Sequence, residues 1–184
     1  QFIASSEYKK LGLEYIEINL SVSQCMHHGL ADSILESMSR YGVSSNQVNL
    51  EITESAASYD QSVMSENLEQ LSAVGLTFSL DDYGTGYSNM YRIAALPLKI
   101  VKLDKTFVNN QNSKMWTILQ NTVRMIKDLN MEIVVEGIET EEMVKKFSDL
   151  KCDFIQGYFF SKPIPQREFV EFIDRWNNRQ KVNA

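Results

Sequence analysis

The chain has 184 residues, 43% hydrophobic and 23% charged, with 8 Gly and 3 Pro; this fits one globular domain able to bury its own core and excludes disordered, collagenous and low-complexity classes. Its 24 acidic and 18 basic residues give a net charge of -6, which argues against a surface for a nucleic acid polymer, while a bound cation can invert the local sign and admit an anionic small molecule. No apolar run approaches the ~18 residues of a membrane span and no leader pattern is read, so no membrane contact is expected of this segment. The distant Cys25 and Cys152 suit free thiols in the cytoplasm.

In chain order, the residues from Glu14 to Leu20 predict a first strand, and Leu30, Ile34, Leu35 and Met38 form one helix face. A strand from Val48 to Thr53 precedes a helix with Met64, Leu68, Leu71 and Val74 on one side, closed by Gly75. Strands from Leu76 to Leu80 and from Leu98 to Leu103 follow, then a helix carrying Trp116, Leu119, Val123, Ile126 and Leu129. A strand from Met131 to Val135 leads to a helix through Met143, Val144, Phe147 and Leu150. A short strand from Asp153 to Gln156 precedes a last helix from Pro165 through Phe169, Phe172, Ile173 and Trp176. This alternation predicts an α/β fold with parallel strands, either an open doubly wound sheet or a (β/α) barrel. No G-x-G-x-x-G follows any strand, which removes the best support for a dinucleotide-binding open sheet.

Polar residues gather where the strands end. Asn19 closes the first; Glu51 and Glu54 sit in and after the second; Asp81 and Asp82 follow the third; Lys102 and Asp104 occupy the fourth; Glu136 follows the fifth and Gln156 ends the sixth. In a parallel barrel all these ends open on one face, where catalytic groups collect. Taken singly, each has a blander reading: a helix cap or loop charge for the acids, a turn for Asp81 to Gly86, an edge-strand charge for Lys102. His27 and His28 read as loop or helix-start residues. Convergence favours a site, and carboxylates with an Asn suit Mg²⁺, Mn²⁺ or Ca²⁺ rather than Zn²⁺. Asp81 and Asp82 can serve two cations, as in two-metal phosphoesterases.

The stretches Asn19 to Gln24 (NLSVSQ), Glu51 to Ser55 (EITES), Asp81 to Ser88 (DDYGTGYS), Lys102 to Val108 (KLDKTFV), Val135 to Thr140 (VEGIET) and Gln156 to Tyr158 (QGY) together resemble the EAL domain family of bacterial cyclic-di-GMP phosphodiesterases, in family order and across nearly the whole chain. The resemblance implies a modified TIM (β/α) barrel. It implies hydrolysis of cyclic-di-GMP to linear pGpG by divalent-metal-activated water, with Mg²⁺ or Mn²⁺ in a two-metal site and Ca²⁺ inhibitory. Carried over residue by residue, Asn19, Glu51 and Asp81 bind the first metal with Glu136 close by, and Asp82 joins Asp81 at the second. Glu54 holds the loop from Tyr83 to Ser88 in the conformation that shapes the metal site and a dimer contact. Lys102 and Gln156 act on the attacking water, and Asp82, Gly84, Lys102, Gln156 and Pro163 face the substrate. Lys102 serves as the base or, since neighbouring carboxylates raise a Lys pKa, orients that water or stabilises phosphoryl charge.

Tyr83, Asn89 and Val135 replace the usual Phe, Ser and Ala. The Glu-Ala-Leu tripeptide that names the family, and whose Glu is a metal ligand, is absent. Residues 1–184, starting at Gln1, are therefore expected to be an EAL domain lacking its N-terminal strands and that motif, with about six of eight strands present. Open strand edges lead to an expectation of a homodimer or other self-association, and the resemblance allows upstream regulatory or GGDEF-type domains. Two alternatives stay open: a non-catalytic EAL-like nucleotide-binding or protein-interaction module, and a metal-dependent sugar-phosphate or enolase-type barrel.

Overall fold

The computed structural model describes residues 2–54, 62–85, 90–109 and 112–182. Six strands form one sheet: β1 (Ile16–Leu20), β2 (Val48–Thr53), β3 (Thr77–Tyr83), β4 (Leu98–Leu103), β5 (Glu132–Val135) and β6 (Phe154–Ile155). All neighbours pair parallel, in the order β1-β2-β3-β4-β5-β6. A doubly wound sheet reverses its strand order at a switch point, so the unbroken order decides for barrel-type winding. The central place of β4 also overturns the edge-strand reading of Lys102, which is 3% exposed.

Among the described residues the helices are α1 (Ser6–Lys10), α2 (Val22–Cys25), α3 (Leu30–Tyr41), α4 (Ser62–Ala73), α5 (Met90–Ala95), α6 (Lys105–Asn109), α7 (Ser113–Asp128), α8 (Glu141–Asp149) and α9 (Gln166–Val182). The five expected from periodicity are α3, α4, α7, α8 and α9. The other four have at most six residues, too few for a 3.6-residue period to declare itself. At α2 the local signal is chemical instead: Ser21 and Gln24 form a reciprocal capping box. At the end of α4, Gly75 takes φ +89°, a region open to Gly, and its N–H and that of Leu76 close on the carbonyls of Ser72 and Leu71. Val74 and Leu129, expected on buried faces, are 47% and 40% exposed; both follow the last helical residue, where the helical period no longer sets direction.

Strand alternation gives the sheet two different faces. Leu20, Leu50, Ile52, Phe78, Leu80, Val101, Leu103, Ile133 and Val135 point one way and form the main core with Leu68, Leu71, Leu119, Ile126 and Phe147 from the helices. The other face carries Glu17, Asn19, Asn49, Glu51, Ser79, Asp81 and Lys102. In a flat sheet β1 and β4 would lie about 14 Å apart, three strand spacings. Yet Glu17 on β1 lies 3.8 Å from the Lys102 ammonium on β4, so the sheet curls into a half-barrel with the polar face inside. A cavity of about 520 Å³ separates its two edge strands, lined by Tyr15, Glu17, Val134, Phe154 and Gln156 among others. On α9, Trp176 packs edge-on against Phe160 and tilted against Phe172, outside the main core. Among the described residues no helix is long and apolar enough to cross a membrane.

Candidate active site

Lys102 is the hub of the concave face. Its position near the end of a central strand, with Ile100 on the same face and fully buried, takes the ammonium out of water, where it needs partners. Four carboxylates supply them: Glu51 in direct contact, Glu136 at 2.8 Å, Asp81 at 3.4 Å and Glu17 at 3.8 Å. Burial alone would push the Lys102 pKa down; the hydrogen bonds it donates to Glu136 and Glu51, and their charges, outweigh it and hold it above the ordinary Lys value. The carboxylates respond in kind. Burial lifts Glu51 to about 7 against the pull of Lys102, with Glu17 adding to the rise. Burial also raises Glu136, opposed by Lys102 and reinforced by the Asp81 and Glu51 charges.

Asp81 and Asp82 should face opposite sides of a regular strand. They do not, because β3 carries one extra residue against β4 between Leu80 and Tyr83 and Asp82 adopts φ +56°. Such a bulge re-aims a side chain. As a result Asp81, Asp82 and Glu136 bring one carboxylate oxygen each within 4.8 Å of one another. Burial, then the charges of Asp81 and Asp104, raise the Asp82 pKa. Asp81 Oδ1 is buried and accepts no hydrogen bond, its nearest charged partner being the Lys102 ammonium at 3.4 Å. A convergent set of hard oxygen donors with an unsatisfied buried member fits a divalent cation such as Mg²⁺, Mn²⁺ or Ca²⁺.

The remaining expected residues fall into three groups. Asn19 pairs in register with Glu51 across β1 and β2, so it stands beside the cluster on the same face. Glu54, 6% exposed, accepts the Gly84 N–H at 3.0 Å. Gly84 has φ +100°, and a Cβ there would meet the Phe107 ring at 2.0 Å, so only Gly lets the start of the loop after β3 seat on α6. The rest of that loop, 86–89, lies outside the described residues. Gln156 and Pro163 line a second cavity of about 570 Å³ beyond β6, and Gln156 also lines the first cavity together with Glu17. Asp104 turns out to be a cap: its carboxylate accepts the Thr106 N–H at 2.8 Å at the start of α6. His27 and His28 lie in the turn between α2 and α3, as expected. Glu17 was not expected at the site, although it lies two residues before Asn19 and strand alternation puts both on one face.

The chain belongs to the EAL domain family, whose model matches residues 1–163. It is similar to MucR of Pseudomonas aeruginosa, a bifunctional diguanylate cyclase/cyclic di-GMP phosphodiesterase, at 36% identity over 160 residues; these make up 86% of this chain, which spans only 23% of MucR. It superposes on the PaMucR phosphodiesterase in its c-di-GMP complex with a TM-score of 0.79, at 36% identity, covering 84% of this chain and 64% of that one. The EAL domain of Mycobacterium smegmatis DcpA gives 0.84 at 29% identity, over 94% and 80% of the two chains. Klebsiella pneumoniae BlrP1 in a manganese/cyclic-di-GMP complex gives 0.78 at 26% identity, over 88% and 42%.

Proposed function

We propose that this chain is the EAL module of a cyclic-di-GMP phosphodiesterase, hydrolysing one 3'-5' phosphodiester to give linear pGpG. The observation that carries the reading is the meeting of Glu51, Asp81 and Glu136 around the buried Lys102 ammonium, with Asp82 re-aimed to join them. The likeness to MucR supports the substrate. Asn19, Glu51, Asp81 and Glu136 are assigned to a first cation and Asp82, with Asp81, to a second, Mg²⁺ or Mn²⁺ in activity and Ca²⁺ as inhibitor. When bound, such cations supply Lewis acidity, acidifying water and neutralising phosphoryl charge.

The chain's own groups do the rest. Lys102, held protonated by its carboxylates, offers N–H donors to the attacking water or to charge developing on the phosphoryl oxygens and is poorly suited to be a base. Gln156 helps orient that water. Glu54 fixes the start of the loop after β3. Gly84, its N–H taken by Glu54, meets substrate through its carbonyl or Cα, and Pro163 and Asp82 complete the substrate side. A cytoplasmic setting goes with this reading, since Cys25 and Cys152 are unpaired thiols.

Residues 1–184 are further proposed to be part of an EAL barrel. The open edges at β1 and β6 support this, and they support self-association, which a monodisperse monomer in light scattering would overturn. Regulatory or GGDEF-type domains are proposed as neighbours on the bifunctional MucR's example. The test of function is cyclic-di-GMP hydrolysis with Mg²⁺ or Mn²⁺, run on this chain and on a version extended upstream; no pGpG from the extended version would defeat the enzyme reading. The alternative reading is a non-catalytic EAL-like nucleotide-binding module. Cyclic-di-GMP binding without turnover would identify it.

A further inference from the structure

We infer that Glu17 is a positioning residue for Lys102, the counter-charge that keeps the ammonium in place once a divalent cation draws on Glu51, Asp81 and Glu136; this rests on the site assignment proposed above. Four carboxylates lie within 4 Å of the Lys102 ammonium. Three of them are proposed cation ligands, so a bound cation competes with the ammonium for their oxygens and repels it as a like charge. A lysine left with no other partner would be driven out of its slot. Glu17 is the fourth carboxylate and stands outside the ligand set, its Oε2 3.8 Å from Nζ on the flank formed by β1.

Glu17 is held there by a buried polar chain rather than left as a loose surface acid. The Ser79 hydroxyl lies 3.3 Å from Glu17 Oε1 and 2.6 Å from the Asn49 amide, whose other end lies 2.9 Å from the Thr77 hydroxyl. Asn49 and Ser79 are both fully buried, where unpaired polar atoms are costly. A single hydroxyl proton cannot serve Asn49 and Glu17 at once. With the Asn49 amide turned so that its nitrogen donates to Ser79, the Ser79 proton is free for Glu17 and the Thr77 proton serves the amide oxygen. Each contact of the run then sets one donor against one acceptor, and the run ends on the carboxylate beside Lys102. Three adjacent strands contribute to it, all from the concave face. It forms a floor beneath the lysine made of side chains that are not themselves proposed cation ligands, with Glu17 also adjoining the proposed ligand Glu51.

The test compares wild type, Glu17→Gln and Ser79→Ala. Lys102 acetylation by an N-hydroxysuccinimide ester, mapped by mass spectrometry, reports its position without requiring turnover. With Mn²⁺ bound, Lys102 should label roughly tenfold faster in Glu17→Gln than in wild type, and by a smaller factor in Ser79→Ala. Without Mn²⁺, where three other carboxylates hold it, the difference should stay within about twofold. In cyclic-di-GMP hydrolysis Glu17→Gln should lower kcat by about 10- to 100-fold with KM nearly unchanged, and should cost nothing further in a Lys102→Met background. Equal labelling of wild type and Glu17→Gln under Mn²⁺, a labelling difference of the same size without Mn²⁺, or an undiminished effect in the Lys102→Met background would each overturn the assignment. Should wild type bind Mn²⁺ yet hydrolyse nothing, the labelling still decides the role of Glu17 while the proposed activity fails.

Discussion

Replacing Lys102 by Met keeps an unbranched stem in the slot and deletes its charge. A pair of unit charges 3.4 Å apart, the Lys102 to Asp81 separation, attracts by about 5 kcal/mol at an effective dielectric near 20. Most of that gross attraction, and of the similar ones to Glu136 and Glu51, offsets the cost of taking the ions out of water. What an experiment reads is the deletion, and removing one member of a buried charge cluster typically costs about 3–5 kcal/mol because the rest is left uncompensated. Lys102→Met should therefore lose about 3–5 kcal/mol in urea denaturation of the metal-free protein at pH 8. The deficit should shrink toward pH 5. A carboxyl whose folded pKa lies above its unfolded value, as with Glu51 at about 7, stabilises the fold at low pH and loses that contribution as pH rises through the folded value. Without the lysine, Glu51 and Glu136 rise further, so protonation relieves the variant more than wild type. Saturating Mn²⁺ should also recover most of the loss, since the cation replaces the missing positive charge. A deficit below about 1 kcal/mol, the size of a surface effect, or one indifferent to both pH and Mn²⁺, would refute the electrostatic account.

Three further outcomes follow from particular contacts. Asp82 sits at φ +56°, which Asn tolerates and a β-branched residue does not, so Asp82→Asn should keep wild-type thermal stability while losing Mn²⁺ affinity in calorimetry, and Asp82→Val should lose about 1–3 kcal/mol as well. The buried Asn67 amide ties α4 to the turn after α2 by donating to the carbonyls of Cys25 and His27 and accepting the Ala31 N–H; Asn67→Ala should cost about 2–3 kcal/mol in thermal denaturation and leave Mn²⁺ affinity unchanged. For Asp153, burial favours the neutral acid, but the hydrogen bond from Lys127 and the Ile133 N–H at 2.7 Å outweigh it and lower the pKa. Its stabilisation is thus present above the unfolded value near 4 and lost as pH falls through the lowered folded value, so wild type should exceed Asp153→Asn in stability at pH 7 and converge with it near pH 2 by circular dichroism.

The alternation of strands and helices was legible because each long helix repeats its apolar face over more than two turns and each strand is rich in Val, Ile, Leu or Phe. Barrel winding over doubly wound winding was legible only as a preference, since strand order depends on which edges meet in space. The short helices α1, α5 and α6 left no periodic trace. The strand boundaries erred where the backbone departs from regularity: β3 continues through Asp81 and Asp82 into Tyr83 because the bulge keeps it paired with β4, while Asp-Asp followed by Tyr-Gly reads locally as a turn.

At the site, the sequence pointed to the ligand-type residues and missed what supports them, for a physical reason. Motif residues such as Asp81 and Glu136 stand out together, because carboxylates recur at one strand end after another. Asn49, Thr77 and Ser79 pass as ordinary strand polars, and only the curl of the sheet, which brings β1 against β4, turns them into a buried run reaching Lys102. Sheets of soluble proteins usually bury apolar residues on both covered faces. Here the concave face is buried and polar together, a combination that is stable only if its groups satisfy one another. The same half-barrel that exposes the carboxylates at its upper rim must therefore carry paired amides, hydroxyls and acids beneath them. Substitutions in that layer are expected to act on Lys102 through Glu17, while the proposed cation ligands above stay in place.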